Sequence, residues 1–407
     1  MSTRTLVVAG HGMTGHRLVE EILTHDRHGH WRVVVLAEEP RPAYDRVALS
    51  TLLDGATPGT LTLPTRQVPD DRRPHLRLNA PLTGADPAAR TVTCADGATF
   101  GYDALVLATG SRPFVPPVPG HDLPGCFVYR TVEDIAAIRA AAAPGRDAVV
   151  VGGGLLGLEA AGGLRLLGMR PHVVEHGPWL MSRQIDEGGG RVLARAVDRL
   201  GVGVHCATKL RALTAGPAGH VERAELSDGR VLDAALVVFA AGVRPRDELA
   251  APLGLDRGER GGFLVDRWCR TGDEHIWAIG ECAAVEGRCH GLAAPGFRMA
   301  ETVARQLLGD SGEAFTGADA SATLKLLGVE VAGFGDAHAH TPGAIEYVHD
   351  APHTDTYAKV VLAADGRTLL GGVLAGDTTA YPLLRTLTGR HLTASPDTLL
   401  TTSAHGA

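Results

Sequence analysis

Two short glycine-rich segments carry the clearest chemistry in this chain. Gly10-His11-Gly12-Met13-Thr14-Gly15 and Gly152-Gly153-Gly154-Leu155-Leu156-Gly157 both read G-x-G-x-x-G. Such a loop suits a pyrophosphate. The first glycine takes a tight turn, the second lets backbone approach the phosphates, and the third lets a helix pack on a strand. Free N–H groups and the positive dipole end of the following helix favour the phosphate oxygens. Alone the motif is weak, but here its context is complete. Apolar runs at 5–9 and 147–151 suit buried parallel strands. Helical patterns follow to about Thr24 and Leu167, then second apolar runs at 32–37 and 171–174. These end in acids: Glu38-Glu39, with Glu38 the better placed, and Glu175. An acid there accepts hydrogen bonds from ribose hydroxyls. Met13, Thr14, Leu155 and Leu156 occupy the positions between the last two glycines of each motif.

Two complete fingerprints imply two dinucleotides held at once. The simplest pair is a flavin that stays and a nicotinamide that leaves each turnover. FAD is therefore expected at the first site and a nicotinamide cofactor at the second. A carboxylate at Glu175 repels a 2′-phosphate, and His176-Gly177-Pro178 adds no arginine, although Arg183 is close in sequence. NADH is favoured over NADPH. Segments 102–110 (YDALVLATG) and 233–242 (DAALVVFAAG) are strands that close each unit, the second at Gly242. A last strand, 276–279, ends at Gly280-Glu281, where a carboxylate could hold sugar-chain hydroxyls of the first dinucleotide.

With these motifs go AYDRVALS (43–50), ATGSRPFVPPVPG (108–120), LMSRQIDEGGG (180–190), FAAGVRPRDELA (239–250), IWAIGECA (276–283) and LKLLGVEVAGFGDA (324–337). On these segments the chain resembles the two-dinucleotide flavoprotein reductases of the glutathione reductase and ferredoxin reductase type. It is most similar to the N-terminal flavin module of assimilatory NADH nitrite reductase large subunits. The resemblance implies an α/β fold with two Rossmann-like domains, for FAD and NAD(P)H, and a C-terminal α/β interface domain. It places FAD against Gly10, Gly12, Gly15, Glu38, Arg46, Leu82, Thr109, Gly110 and Glu281, with Pro295 and Gly296 starting a helix aimed at the isoalloxazine edge. It places NADH against Gly152, Gly154, Leu156, Gly157, Glu175 and Gly242. Glu159 matches a carboxylate near the nicotinamide–flavin contact and is the one candidate catalytic side chain. Ferredoxin reductases pair that carboxylate with a lysine, where this chain has Thr51.

Composition sets bounds. The chain has 407 residues, is 44% hydrophobic and 21% charged, and carries a net charge of −7. That excludes disorder as the main state and gives no electrostatic case for nucleic acid. No apolar run approaches the ~20 residues of a membrane span, and no leader is apparent, so a soluble cytoplasmic protein is expected, as monomer or homodimer. Six cysteines are scattered without CxxC, and AYDRVALST has none. In the resembled family that segment, or a CxxC in the nicotinamide domain, carries the thiol relay. Reduced flavin must therefore serve an external acceptor or oxygen. Cys269, Cys282 and Cys289 match no cluster spacing, and His25, His28 and His30 have no closed ligand set nearby, so no metal is expected.

The expected organisation is an FAD domain (1–116 and 244–318), an NAD(P)H domain (117–243) and a C-terminal domain (319–407) whose tail from Ser395 is polar. The expected activity is hydride transfer from NADH to FAD, then electron transfer to a ferredoxin, a rubredoxin-like protein or a separate nitrite reductase component. Alternatives are an NADH oxidase making peroxide and a flavin-based redox-sensing interaction protein. No sirohaem ligands can be placed, and the chain ends where the nitrite reductase subunit continues. It is not expected to reduce nitrite alone.

Overall fold

The computed structural model describes residues 3–310, 312–317, 321–393 and 395–396, so most of the tail from Ser395 lies outside the described residues. The chain divides into two compact units, the first of residues 1–48, 57–112 and 243–318, the second of 49–56, 113–242 and 319–407.

The first unit opens with β1 (Arg4–Ala9), α1 (Met13–His25) and β2 (Trp31–Leu36). Both strands are near-continuous Val/Leu runs because the sheet is covered on both faces; Leu6, Val7 and Val8 are fully buried. Each such side chain contributes roughly 1.5–3 kcal/mol on leaving water. β3 (His75–Arg77) and β4 (Ala104–Leu107) extend the sheet. The helices begin three residues earlier than the apolar pattern suggested, because the last half of each glycine motif is already helical.

The second unit repeats the plan. β5 (Cys126–Val128) and α2 (Val132–Ala141) precede β6 (Asp147–Val151), α3 (Leu155–Leu166) and β7 (Arg170–Val174). Then come α4 (Glu187–Arg199), β8 (Gly203–His205) and β9 (Leu236–Phe239). The chain returns to the first unit with β10 (Ile276–Ala278) and α5 (Ala293–Leu307), which packs on α1. The two parallel sheets have the same order, β10-β4-β1-β2-β3 and β8-β7-β6-β9-β5. In each α/β sheet the strand that leads into the glycine motif, β1 or β6, is central, so each has a crevice where the strand order reverses.

Residues from 322 form an antiparallel sheet in the second unit: β11 (Ala322–Leu326), β12 (Val329–Gly335), β13 (Ile345–Ala351), β14 (Thr356–Leu362) and β15 (Leu369–Ala375), ordered β11-β12-β15-β14-β13. One face buries Phe334, Val360 and Leu374 with α6 (Tyr381–Leu387). The other packs on α4, whose Gly188 and Gly189 leave room: an added Cβ would lie 2.2 Å from the Tyr357 ring and 2.7 Å from Val373. Lys359, 2% exposed, is held on this face by Asp186 (2.8 Å) and Glu346 (3.0 Å).

Candidate functional site

Both glycine motifs are built for contact at two positions and openness at one. Gly10 has φ +112°, and a Cβ there would sit 2.3 Å from the Ala108 carbonyl oxygen. Gly15 abuts Gly10, and an added Cβ would lie 2.3 Å from the Gly10 carbonyl oxygen. Between them, a Cβ on Gly12 would meet nothing within 4 Å. The second motif copies the first. Gly152 has φ +119° and an added Cβ would lie 2.4 Å from Ala240 O, one on Gly157 would lie 1.9 Å from Gly152 O, and one on Gly154 would meet nothing within 4 Å. Gly12 and Gly154 are the N-caps of α1 and α3, and neither receives a side-chain cap. Each helix therefore presents its first N–H groups, beside Met13-Thr14 and Leu155-Leu156, to a space that only glycine leaves clear. A pyrophosphate fits this cradle in both units.

In the first unit the acids after β2 part ways. Glu39 is taken by Arg46, with the Tyr44 hydroxyl donating to it at 2.8 Å. Glu38 is exposed and ion-paired with Arg246. Arg246 is anchored by its own backbone: its N–H donates to Gly110 O (2.9 Å), and the Thr109 hydroxyl donates to its carbonyl. Glu281 accepts from the Ser111 hydroxyl at 2.8 Å. Gly280 and Gly296 close on Thr14, where added Cβ atoms would lie 3.0 and 2.4 Å from its Oγ1. Gly296 and Pro295 are buried in the first turn of α5. Thr14, Gly280, Pro295 and Gly296 thus gather beside the first cradle. Leu82 starts a strand of a separate three-stranded antiparallel sheet, paired with Cys94. His11 accepts from the Ala43 N–H at 3.2 Å, and burial, helped by His16, lowers its pKa to about 4. The cradle thus contains a neutral imidazole.

In the second unit Glu175 is 7% exposed. Its carboxylate accepts from the N–H groups of Gly153 and Gly177, each at 2.6 Å, with His176 Nδ1 at 2.9 Å. The acid is thus fixed against the second cradle by the loop itself. Gly242, at φ +104°, turns the chain beyond β9.

With two matched cradles in place, the comparisons are decisive. The model of the pyridine nucleotide-disulphide oxidoreductases matches residues 4–305. The chain belongs to this family. It is 45% identical over its whole length to the nitrite reductase [NAD(P)H] large subunit of Klebsiella oxytoca, covering 42% of that protein. It is 41% identical to the NADH nitrite reductase large subunit of Escherichia coli, again over its whole length and covering 48% of that one. The chain therefore spans less than half the length of these relatives. A ferredoxin reductase from Rhodopseudomonas palustris superposes with a TM-score of 0.85 at 24% identity, over 98% of this chain and all of the other. The expected fold class, two Rossmann-like sheets with a C-terminal α/β part, is what this family member has.

This oxidoreductase departs from its family's name in its thiols. Its cysteines are all free, and Cys282 is buried against the carbonyls of Leu107 and Ile279, where burial raises its pKa. Among the described residues no group of three His, Cys, Asp or Glu is placed to hold a metal ion, and no helix is long and apolar enough to cross a membrane. Glu159 lies half-buried in the second turn of α3. It makes no ion pair or hydrogen bond with a described residue, and burial raises its pKa to about 7. The turn Leu49–Leu52, which carries Thr51, packs on α3. Arg246, Ser111, His11 and Tyr129 escaped the sequence reading. The partners of Arg246 and Ser111 are distant in sequence, 208 residues for Arg246 and Glu38 and 170 for Ser111 and Glu281, and the only local hint was the Arg-Pro-Arg after Gly242.

Proposed function

We propose that this chain is an FAD-dependent NADH:acceptor oxidoreductase. The first unit holds FAD and the 113–242 part of the second holds NADH, with 319–407 as a C-terminal interface domain. FAD, when bound, supplies an acceptor for hydride and a means of releasing electrons singly. The protein's share is binding and alignment. Gly10, Gly12 and Gly15 with the α1 N-terminus take the FAD pyrophosphate, and Glu38 and Glu281 take hydroxyls of its sugar parts. Thr109, Gly110, Pro295 and Gly296 frame the same cradle, with Leu82 toward the adenine and Arg46, held by Glu39, as a further FAD contact. Gly152, Gly154, Leu155, Leu156 and Gly157 take NADH, and the buried Glu175 selects it over NADPH.

The observation that carries this reading is the duplicated cradle, with two open N-cap glycines ahead of two uncapped helices. The absence of cysteine from 43–51 sends the electrons outward. The relatives' names suggest the class of acceptor: a ferredoxin, a rubredoxin-like protein or a nitrite reductase component. Anaerobic titration of the purified yellow protein tests it. NADH should bleach the flavin rapidly and NADPH slowly, and a panel of one-electron protein acceptors should restore the colour. A colourless protein, or one that NADH leaves yellow, would sink the proposal. Fast aerobic turnover without acceptor would mark an oxidase instead.

A further inference from the structure

Tyr129 is 2% exposed, and its hydroxyl has no hydrogen-bond partner among the described residues. Such an orphan in a native fold calls for an explanation. It follows β5, whose last residue Val128 is in register with Phe239 of β9, so it stands at the carboxyl end of the second unit's sheet. The strand order gives the direction of the dinucleotide. Glu175, the ribose acid, ends β7; the pyrophosphate cradle follows β6; β9 and β5 come next. A dinucleotide with its adenosine at Glu175 thus brings its nicotinamide to the end that Tyr129 occupies. Helical side chains lean toward the helix N-terminus, so Glu159 leans toward the same cradle. Tyr129 and Glu159 are close enough that the carboxylate raises the phenol's pKa beyond the effect of burial.

Among the described residues little else charged faces Glu159. β9 and the Leu49–Leu52 turn carry no charge. Asp147 of β6 is bound by Arg170 of β7 at 2.7 Å, and His172 of β7 lies 3.7 Å from the same carboxylate. Arg165 of α3 donates to Leu200 O, and Arg139 of α2 to Leu52 O. Arg130 and Glu133 have partners of their own. Lys325 of β11 has its side chain outside the described residues.

We infer that Glu159 and Tyr129 form the polar end of the nicotinamide site. There Glu159 gives up a proton when NAD⁺ binds and keeps it when the reduced cofactor binds, so that pH sets the ratio of the two affinities. The inference rests on the NADH reading above. The oxidised ring is a cation and the reduced ring is neutral. A desolvated carboxyl without a cationic partner gains one from NAD⁺ and gains nothing from NADH. Because the ionised form is the one that binds NAD⁺ better, NAD⁺ affinity rises with pH through the window just below and around 7 and levels off above it. Affinity for the neutral ring stays flat or falls. The Tyr129 hydroxyl serves either ring as a donor.

The test is calorimetric titration of the oxidised, FAD-loaded protein at pH 6, 7 and 8. The ligands are NAD⁺ and 1,4,5,6-tetrahydro-NAD, a reduced analogue that gives no hydride. Buffers of differing ionisation enthalpy count the protons. NAD⁺ should tighten about tenfold across the window, the effect of one pKa unit, with net proton release, while the analogue should not tighten. Glu159→Gln should abolish the slope. Tyr129→Phe should weaken both ligands and keep the slope. A slope that survives Glu159→Gln overturns the inference and leaves the NADH reading standing. Failure to bind either dinucleotide at any pH overturns both. If Glu159→Gln does not fold, the wild-type proton count decides, and zero release is the overturning result.

Discussion

Single side chains in this molecule separate binding from discrimination. Glu175 has its carboxylate locked by two loop N–H groups and is buried, so its negative charge cannot swing away from a 2′-phosphate. Glu175→Gln removes the charge and turns one acceptor into a donor facing an N–H. Charge-assisted hydrogen bonds contribute about 1.5–3 kcal/mol. The preference for NADH over NADPH, read as a ratio of kcat/KM values, should fall about tenfold or more. An unchanged ratio would show that another residue reads the ribose. The glycines make a sharper pair. Gly12→Ala and Gly154→Ala project a methyl into open space and should leave stability nearly intact while weakening dinucleotide binding. Gly15→Ala and Gly157→Ala drive a Cβ into a carbonyl oxygen 2.3 and 1.9 Å away. They should cost about 1–3 kcal/mol or more in stability. Flavin content and urea midpoints, measured together, distinguish the two outcomes.

At the scale of elements, the two βαβ units were legible because their signals are local: a strand, three glycines, a helix and an acid within about 30 residues. What was not legible depends on chain ends that meet only after folding. Arg246 reaches Glu38 from the far side of the second fingerprint, and Tyr129 faces α3 from a strand laid down before it. The antiparallel sheet is half legible: the runs at 358–363 and 369–375 read as strands β14 and β15, but the three others do not stand out. The triple glycine of α4 was conspicuous in the sequence but had no assigned purpose. Gly188 and Gly189 let α4 lie flush on β14 and β15, Gly190 leaves room for Trp179, and Lys359 binds the Asp186 N-cap of that helix. Lys359→Met should leave Asp186 and Glu346 without their cation. Glu346 is half exposed and Asp186 keeps the Tyr357 hydroxyl and the Gly189 N–H, so the loss should be about 1–3 kcal/mol. Denaturant unfolding should show the loss while flavin reduction by NADH persists, because neither dinucleotide cradle contains Lys359.

For the molecule as a whole, the division of labour follows from what each part contains. Residues 4–305 match the family model, and the entire chain aligns with less than half of the nitrite reductase large subunits. On the function proposed above, the two dinucleotide cradles take a hydride from NADH and release electrons outward. Reducing nitrite to ammonium demands more, namely a metal or haem centre that binds the substrate and accumulates several electrons. Among the described residues no three His, Cys, Asp or Glu side chains come together to hold such a centre, and burial raises the pKa of Cys94, Cys269 and Cys282. The 407-residue chain, supplied with NADH, should therefore reduce a one-electron acceptor such as ferricyanide at a rate set by flavin reduction, and should form no ammonium from nitrite. Ammonium above the blank, with this chain as the only protein present, would show that the substrate centre lies within it. A burst of ammonium only on adding a separate nitrite-reducing component would locate that centre in the partner and identify this chain as the source of its electrons.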